Sequence, residues 1–264
     1  MGDAEGVRYE VHGPVARVTI DREARRNALS WDVVRGLRAA VAAARDDAAV
    51  RVVVLTGAGD RAFCAGADLT GMASGGGPVA LHEARGELAR LFEDLWALGK
   101  PTVARVRGYA LAGGFGLALA CDLVVAADDA VFGTPEVDVG LWPFMITVPL
   151  TRAMPPKVAL ELMLTGRRVA ADEALRLGFV NRVVPTAGLD AAVDELAATL
   201  ASKPPDAVRL GLASFHEVWG RPADEALRVL HPLLSVLAAG EEAAEGLAAF
   251  AEKRPPAWRD EPGA

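Results

Sequence analysis

Cysteine is nearly absent from this chain: its 264 residues hold only Cys64 and Cys121. Two cysteines exclude a disulfide-built scaffold and fit a reducing compartment, so a cytoplasmic location is expected. Histidine is equally sparse. His12, His82, His216 and His231 show no metal-ligand spacing, so no metal site is expected. Although 52% of the residues are hydrophobic, no apolar run reaches the roughly 18 residues of a membrane span. The longest candidate, 109–127, is broken by glycines and by Asp122. The first ten residues, MGDAEGVRYE, lack a basic start followed by an apolar core, so no secretory signal is expected. Positive charge is not in excess either. The formal net charge of -7 speaks against a general nucleic-acid binder. No P-loop, dinucleotide fingerprint or zinc motif is present, which disfavours a nucleotide-binding oxidoreductase.

What the chain does have is an alternation of buried strands and helices. Residues 7–11 and 15–20 flank His12-Gly13-Pro14 and predict a hairpin. Ser30 reads as the N-cap of a helix running to about Arg45, with Val33, Val34, Leu37 and Val41 at helical spacing. Apolar runs at 50–56, 102–106, 123–127 and 130–132 predict strands, and 81–98 an amphipathic helix. The class is therefore α/β, and the short strand runs suit stacked ββα turns. Later segments predict helices at 157–165, 171–177 and 189–202, with Gly178 in a C′ position. Lys203-Pro204-Pro205 marks a boundary between a core, 1–203, and a helical region, 204–264. In that region the helix 222–239 carries Leu227, Val229, Leu230, Leu233, Leu234 and Leu237, either core packing or an oligomer contact.

One stretch, RGYALAGGFGLALACD at 107–122, joins a buried strand to a helix through Gly113-Gly114. Such a turn directs backbone N–H groups without intrahelical partners at one spot, which attracts negative charge. Alternatively the glycines only permit tight helix–strand packing. A second glycine loop, AFCAGADL at 62–69, follows another buried strand. If the two strands are neighbours, the loops meet, and two N–H groups can bind one carbonyl oxygen. One donor of such an oxyanion hole is worth on the order of 3 kcal/mol in a transition state.

These pieces resemble the crotonase superfamily, the enoyl-CoA hydratase/isomerase group. The matching segments are Asn27-Ala28-Leu29, AFCAGADL, KPTVARVRGYALAGG, LALACDLVVA, FGTPE, LTGRRVAADEALRLGFVNRVV and EGLAAFAEKRPPAW, in the family's order over nearly the whole chain. The resemblance implies a crotonase-like spiral of ββα turns with a C-terminal helical oligomerisation region, and a homotrimer or homohexamer. It implies that Ala67 and Gly113 donate N–H groups to the thioester oxygen of an acyl-CoA. Arg25, Asn27, Ala65, Asp68, Leu69 and Lys253 are the corresponding coenzyme A contacts, with Arg26 and Arg61 as further phosphate candidates. No cofactor is implied beyond the coenzyme A thioester, which is substrate.

Family hydratases use two glutamates. The second matches Glu136, in FGTPE; the first falls at Gly116, which has no proton-transferring group. After Pro143, where many relatives carry a glycine-rich turn, this chain has Phe144-Met145-Ile146-Thr147. Burial of Glu136 between Pro135 and Val137 would raise its pKa and suit it to proton transfer. Asp138, two residues on, is either a second acid, a partner for an arginine such as Arg152, or solvent-facing. The expected activity is enoyl-CoA isomerisation or hydration; the alternative is an acyl-CoA binder that has lost the first glutamate.

Overall fold

A computed structural model describes residues 6–68 and 77–259. Leu69 and the glycines of 75–76 lie outside the described residues. The hairpin is β1 (Val7–His12) and β2 (Val15–Ile20), paired antiparallel about a turn in which Gly13 takes φ +57°. Helix α1 (Trp31–Asp46) follows, its first turn capped by Ser30, whose hydroxyl accepts from Val33 N at 3.3 Å.

Three ββα turns then succeed one another. The first is β3 (Val52–Gly57), β4 (Ala62–Cys64) and α2 (Pro78–Trp96). The second is β5 (Thr102–Val106), β6 (Tyr109–Leu111) and α3 (Gly113–Ala120). The third is β7 (Leu123–Ala127), β8 (Val131–Gly133) and, after a 3-10 turn at Pro135–Val139, α4 (Thr147–Ala153). Helix α5 (Pro156–Thr165), strand β9 (Arg168–Ala170), helix α6 (Ala171–Leu177), strand β10 (Arg182–Val184) and helix α7 (Leu189–Ala201) complete the spiral.

The first strand of each turn enters a six-stranded sheet of order β1-β2-β3-β5-β7-β10, and the second enters a four-stranded sheet of order β4-β6-β8-β9. Because β4, β6 and β8 run parallel, their C-terminal ends lie side by side. That is where the two glycine loops emerge. Phe115, Phe132 and Phe179, with ring centroids 5.2–5.4 Å apart, lock α3 onto the inner face of the small sheet. Apolar burial of this kind is the main favourable term holding the layers together.

Strands β4, β6 and β9 and helix α4 are not among the elements that the sequence predicts. The three strands have three residues each, too few for an alternating pattern to register. Gly113-Gly114 are the first residues of helix α3 rather than a turn before it. Beyond α7 come α8 (Pro205–Val218), α9 (Ala223–Ala238) and α10 (Glu241–Glu252). No described helix is long and apolar enough to cross a membrane.

Candidate active site

The turn between β6 and α3 rests on Ala112, which adopts φ +50° and ψ −128°. This is a strained conformation for a residue with a Cβ. It is held by Ala112 N donating to Gly133 O at 2.9 Å, which bolts the turn to the end of β8. Its carbonyl accepts from Phe115 N and Gly116 N at 2.9 and 3.1 Å. The Gly113 N–H, first of the helix, finds no acceptor among the described residues and points out of the α3 N-terminus. Gly114 sits where a Cβ would come within 2.3 Å of Cys64 O, so here the glycine is required for close packing of α3 on β4. Gly114 thus serves close packing, while Gly113 carries the unpartnered amide.

The facing loop follows β4. Leu29 and Ala67 form a parallel bridge in which Leu29 N donates to Gly66 O and Asp68 N donates to Leu29 O, each at 2.8 Å. In that register the Ala67 N–H points away from Leu29, and no described acceptor takes it. Gly66, at φ +96°, lies so close to the β6–α3 turn that a Cβ on it would sit 2.7 Å from Ala112 Cβ and 3.6 Å from Gly113 N. The two loops therefore meet, and two unpartnered amides belong to one small region. Such a pair can hold a single oxygen that gains negative charge.

Asn27 and Asp68 have other work. The Asn27 side chain is fully buried, accepts from Arg22 N at 3.0 Å, and donates to Ala58 O and Ala62 O at 2.9 and 2.7 Å. With its hydrogen-bonding capacity so engaged, the side chain staples three loop segments and does not line a groove. Its φ of +56° is one that asparagine tolerates better than most residues. Asp68, largely buried, accepts from Arg22 Nη2 at 3.0 Å, while Arg22 Nη1 donates to Ala28 O at 2.7 Å. Both side chains thus take part in a positioning network around Arg22. The sequence offered one signal for Arg22, its place in a polar arginine-rich loop.

Glu136 lies in the turn after β8, beside the Ala112 turn by virtue of the β6–β8 pairing. Its Oε2 is buried without a hydrogen-bond partner. Burial pushes its pKa above the ordinary carboxylate value, with its own backbone N–H and the Arg168 charge acting in the opposite direction. The turn is anchored by Thr134, whose hydroxyl donates to Leu162 O at 2.8 Å.

Asp138 points elsewhere: it is exposed, and its carboxylate lies against Gly166. Arg152 does not pair with it, but stacks over the Trp96 ring at 4.5 Å. Gly116 is buried one turn into α3, and the space above it is full. A Cβ there would lie 2.2 Å from Ile146 Cγ2, 2.6 Å from Ile146 Cβ and 3.4 Å from Phe92 Cζ. The missing glutamate and the altered 144–147 segment are therefore one structural feature.

A groove of about 490 Å³ is lined by Arg26, Arg61, Ala65, Tyr109, Leu111 and Arg168, on the outer side of the small sheet. Ala65 and Leu111 are each two residues from a free amide. Arg25 is exposed on the same loop as Arg26 but outside this lining, and Lys253 caps the C-terminus of α10, also outside it. Both cysteines are buried, and burial pushes the Cys64 thiol up to about 12, so neither is a nucleophile at neutral pH. His216 bonds Asp122 at 3.1 Å, joining α8 to the core. Among the described residues no cluster suited to a metal ion occurs.

Comparison with known proteins gives the chain a family. The profile described as enoyl-CoA hydratase/isomerase matches residues 10–261. Carnitinyl-CoA dehydratase of Citrobacter koseri is 39% identical over 97% of this chain and 99% of its own length, and that of Salmonella typhi matches equally. Among solved structures, an enoyl-CoA hydratase subunit from Geobacillus kaustophilus superposes with a TM-score of 0.89 at 40% identity, over 97% of this chain and 98% of that one. The enoyl-CoA hydratase of Mycobacterium smegmatis gives 0.91 at 33% identity, over 96% and 98%. The ββα spiral is thus the crotonase fold, and the chain belongs to the enoyl-CoA hydratase/isomerase family.

Proposed function

We propose that this protein is an acyl-CoA enzyme that stabilises a thioester enolate and moves one proton with one glutamate. The observation that carries the reading is the conjunction of two free amides, at Ala67 and Gly113, with the buried, unpartnered Oε2 of the Glu136 carboxylate. In the preferred reaction the substrate is a 3-enoyl-CoA. Its thioester oxygen sits between the two N–H groups, which lowers the energy of the enolate. The Glu136 carboxylate takes a proton from C2, the electron pair delocalises through the enolate to C4, and the protonated Glu136 returns the proton there. The product is the 2-enoyl-CoA, with no net gain or loss of atoms. A raised pKa brings Glu136 nearer to a balance between accepting and releasing that proton.

Arg26, Arg61 and Ala65 line a cationic groove that suits the phosphates and adenine of coenzyme A, with Arg25, Leu69 and Lys253 as further contacts. No other cofactor is needed. The protein would work in the cytoplasm, as a homotrimer or homohexamer. Hydration of a 2-enoyl-CoA is the slower reaction in this reading, because Gly116 supplies no group to orient water. That same glycine favours one other reading, an acyl-CoA binder without turnover.

Incubation with a 3-enoyl-CoA and with crotonyl-CoA separates these possibilities. Isomerisation that falls by a factor of about 100 or more in Glu136→Gln supports the proposal, a range typical of a general base. Tight binding of both thioesters with no turnover would establish the binder instead.

A further inference from the structure

Ile146 stands directly over Gly116, and its position is fixed from several sides. Thr147 N and Thr147 Oγ1 donate to Pro143 O at 3.0 and 2.9 Å, and Leu150 N donates to Ile146 O at 3.0 Å. The side chain is 2% exposed and β-branched, so it has few rotamers into which to retreat. It fills the volume that any side chain at Gly116 would need, and Phe92 closes the remainder. Gly116 is itself one helical turn from the free Gly113 amide, so this apolar plug borders the amide pair.

A bound water needs two to four polar partners, and Ile146, Phe92 and Gly116 supply no side-chain group for one. We infer that Ile146 determines reaction specificity: packed on Gly116, it excludes both a second carboxylate and the attacking water, and so commits the enolate to proton return rather than to water addition. This rests on the single-glutamate enolate reading given above. It predicts that hydratase activity is latent in the fold and is released by clearing position 146 and restoring a carboxylate at 116.

The test compares hydration of crotonyl-CoA with isomerisation of a 3-enoyl-CoA in four proteins: wild type, Ile146→Gly, Gly116→Glu and the double variant. Glycine rather than alanine is used at 146 because the Ile146 Cβ alone already stands within 2.6 Å of the new Cβ at 116. The hydration-to-isomerisation ratio is expected to stay near wild type in Ile146→Gly, where the cleared space is lined by apolar groups and offers water no polar partner, and to rise about 100-fold in the double variant, the lower end of a general-base contribution. Gly116→Glu alone is expected to lower Tm by about 5 °C or more through overpacking, and the second substitution to restore it.

A wild-type ratio in the folded double variant would overturn the inference while leaving Glu136-dependent isomerisation intact. A Gly116→Glu protein with unchanged Tm would overturn the steric part. Failure of the wild type to isomerise any 3-enoyl-CoA would instead remove the enolate reading, and this inference with it.

Discussion

At the scale of single residues, Glu136 carries two opposed demands. Its folded pKa is raised, so the native state holds the proton more tightly than the unfolded chain does. Its favourable contribution is therefore present below the unfolded pKa and is lost as pH rises through the folded value. Above the folded pKa a buried ionised carboxylate with an unpartnered oxygen remains, which is destabilising. Glu136→Gln is expected to raise Tm relative to wild type at pH 7–8, with the difference shrinking towards pH 4. Thermal melts across that range check it. Since the carboxylate form is the base, wild-type kcat should rise with pH through a pKa above the usual glutamate value of about 4.3. A rate that is flat from pH 4 to 7 would contradict the assignment.

Asn27 shows where residue-level reading of the sequence stopped short. The motif around it was legible, but its side-chain role depends on Ala58 and Ala62, some thirty positions away, which only the folded chain brings to it. Asn27→Ala leaves a backbone N–H and two carbonyls without their partner and places alanine at φ +56°. The expected loss is about 3 kcal/mol of stability, read from chemical denaturation. A variant of native stability with weakened coenzyme A thioester binding would show that the side chain serves the ligand after all.

At the scale of elements, the buried strands and long helices were legible because each has a period or an unbroken apolar run. Thr102–Val106, Leu123–Ala127 and Ala171–Leu177 have the ends the sequence indicated. The site was legible as two glycine loops but not as a device, because the strain at Ala112 has no sequence signature. Alanine ordinarily avoids φ +50° with ψ −128°, and the turn imposes it to aim the Gly113 amide. Ala112→Gly removes the Cβ that makes this conformation unfavourable. Stability is expected to rise by about 1 kcal/mol while kcat falls, because a freer turn holds the donor less firmly. A denaturation midpoint that drops would mean that the Cβ packing, not the strain, dominates at this position. The plug at Ile146 was illegible for a similar reason: Gly116 and the 144–147 segment each looked like an isolated departure until the fold set them 2.2 Å apart at the position of a Cβ.

At the scale of the whole molecule, the spiral and the last three helices differ in one decisive respect. The spiral buries two large apolar clusters, whereas α8 and α9 contain no buried residue and α10 only Ala249. Phe250 is 86% exposed, Leu247 71% and Leu234 67%, far more apolar surface than a helix facing water normally offers. The leucines of α9, which the sequence left between core packing and an oligomer contact, are not core within one chain. Burying this surface between copies would stabilise the assembly at roughly 25 cal/mol per Å² of apolar area. Light scattering on the purified 27.6 kDa chain is therefore expected to give a trimer or a hexamer. Leu234→Glu combined with Leu247→Glu should shift it towards monomer, since each places a charge in an apolar contact. If the double variant keeps the wild-type mass, these helices do not form the contact. If the wild type is itself monomeric, their exposed apolar face is not an assembly surface at all.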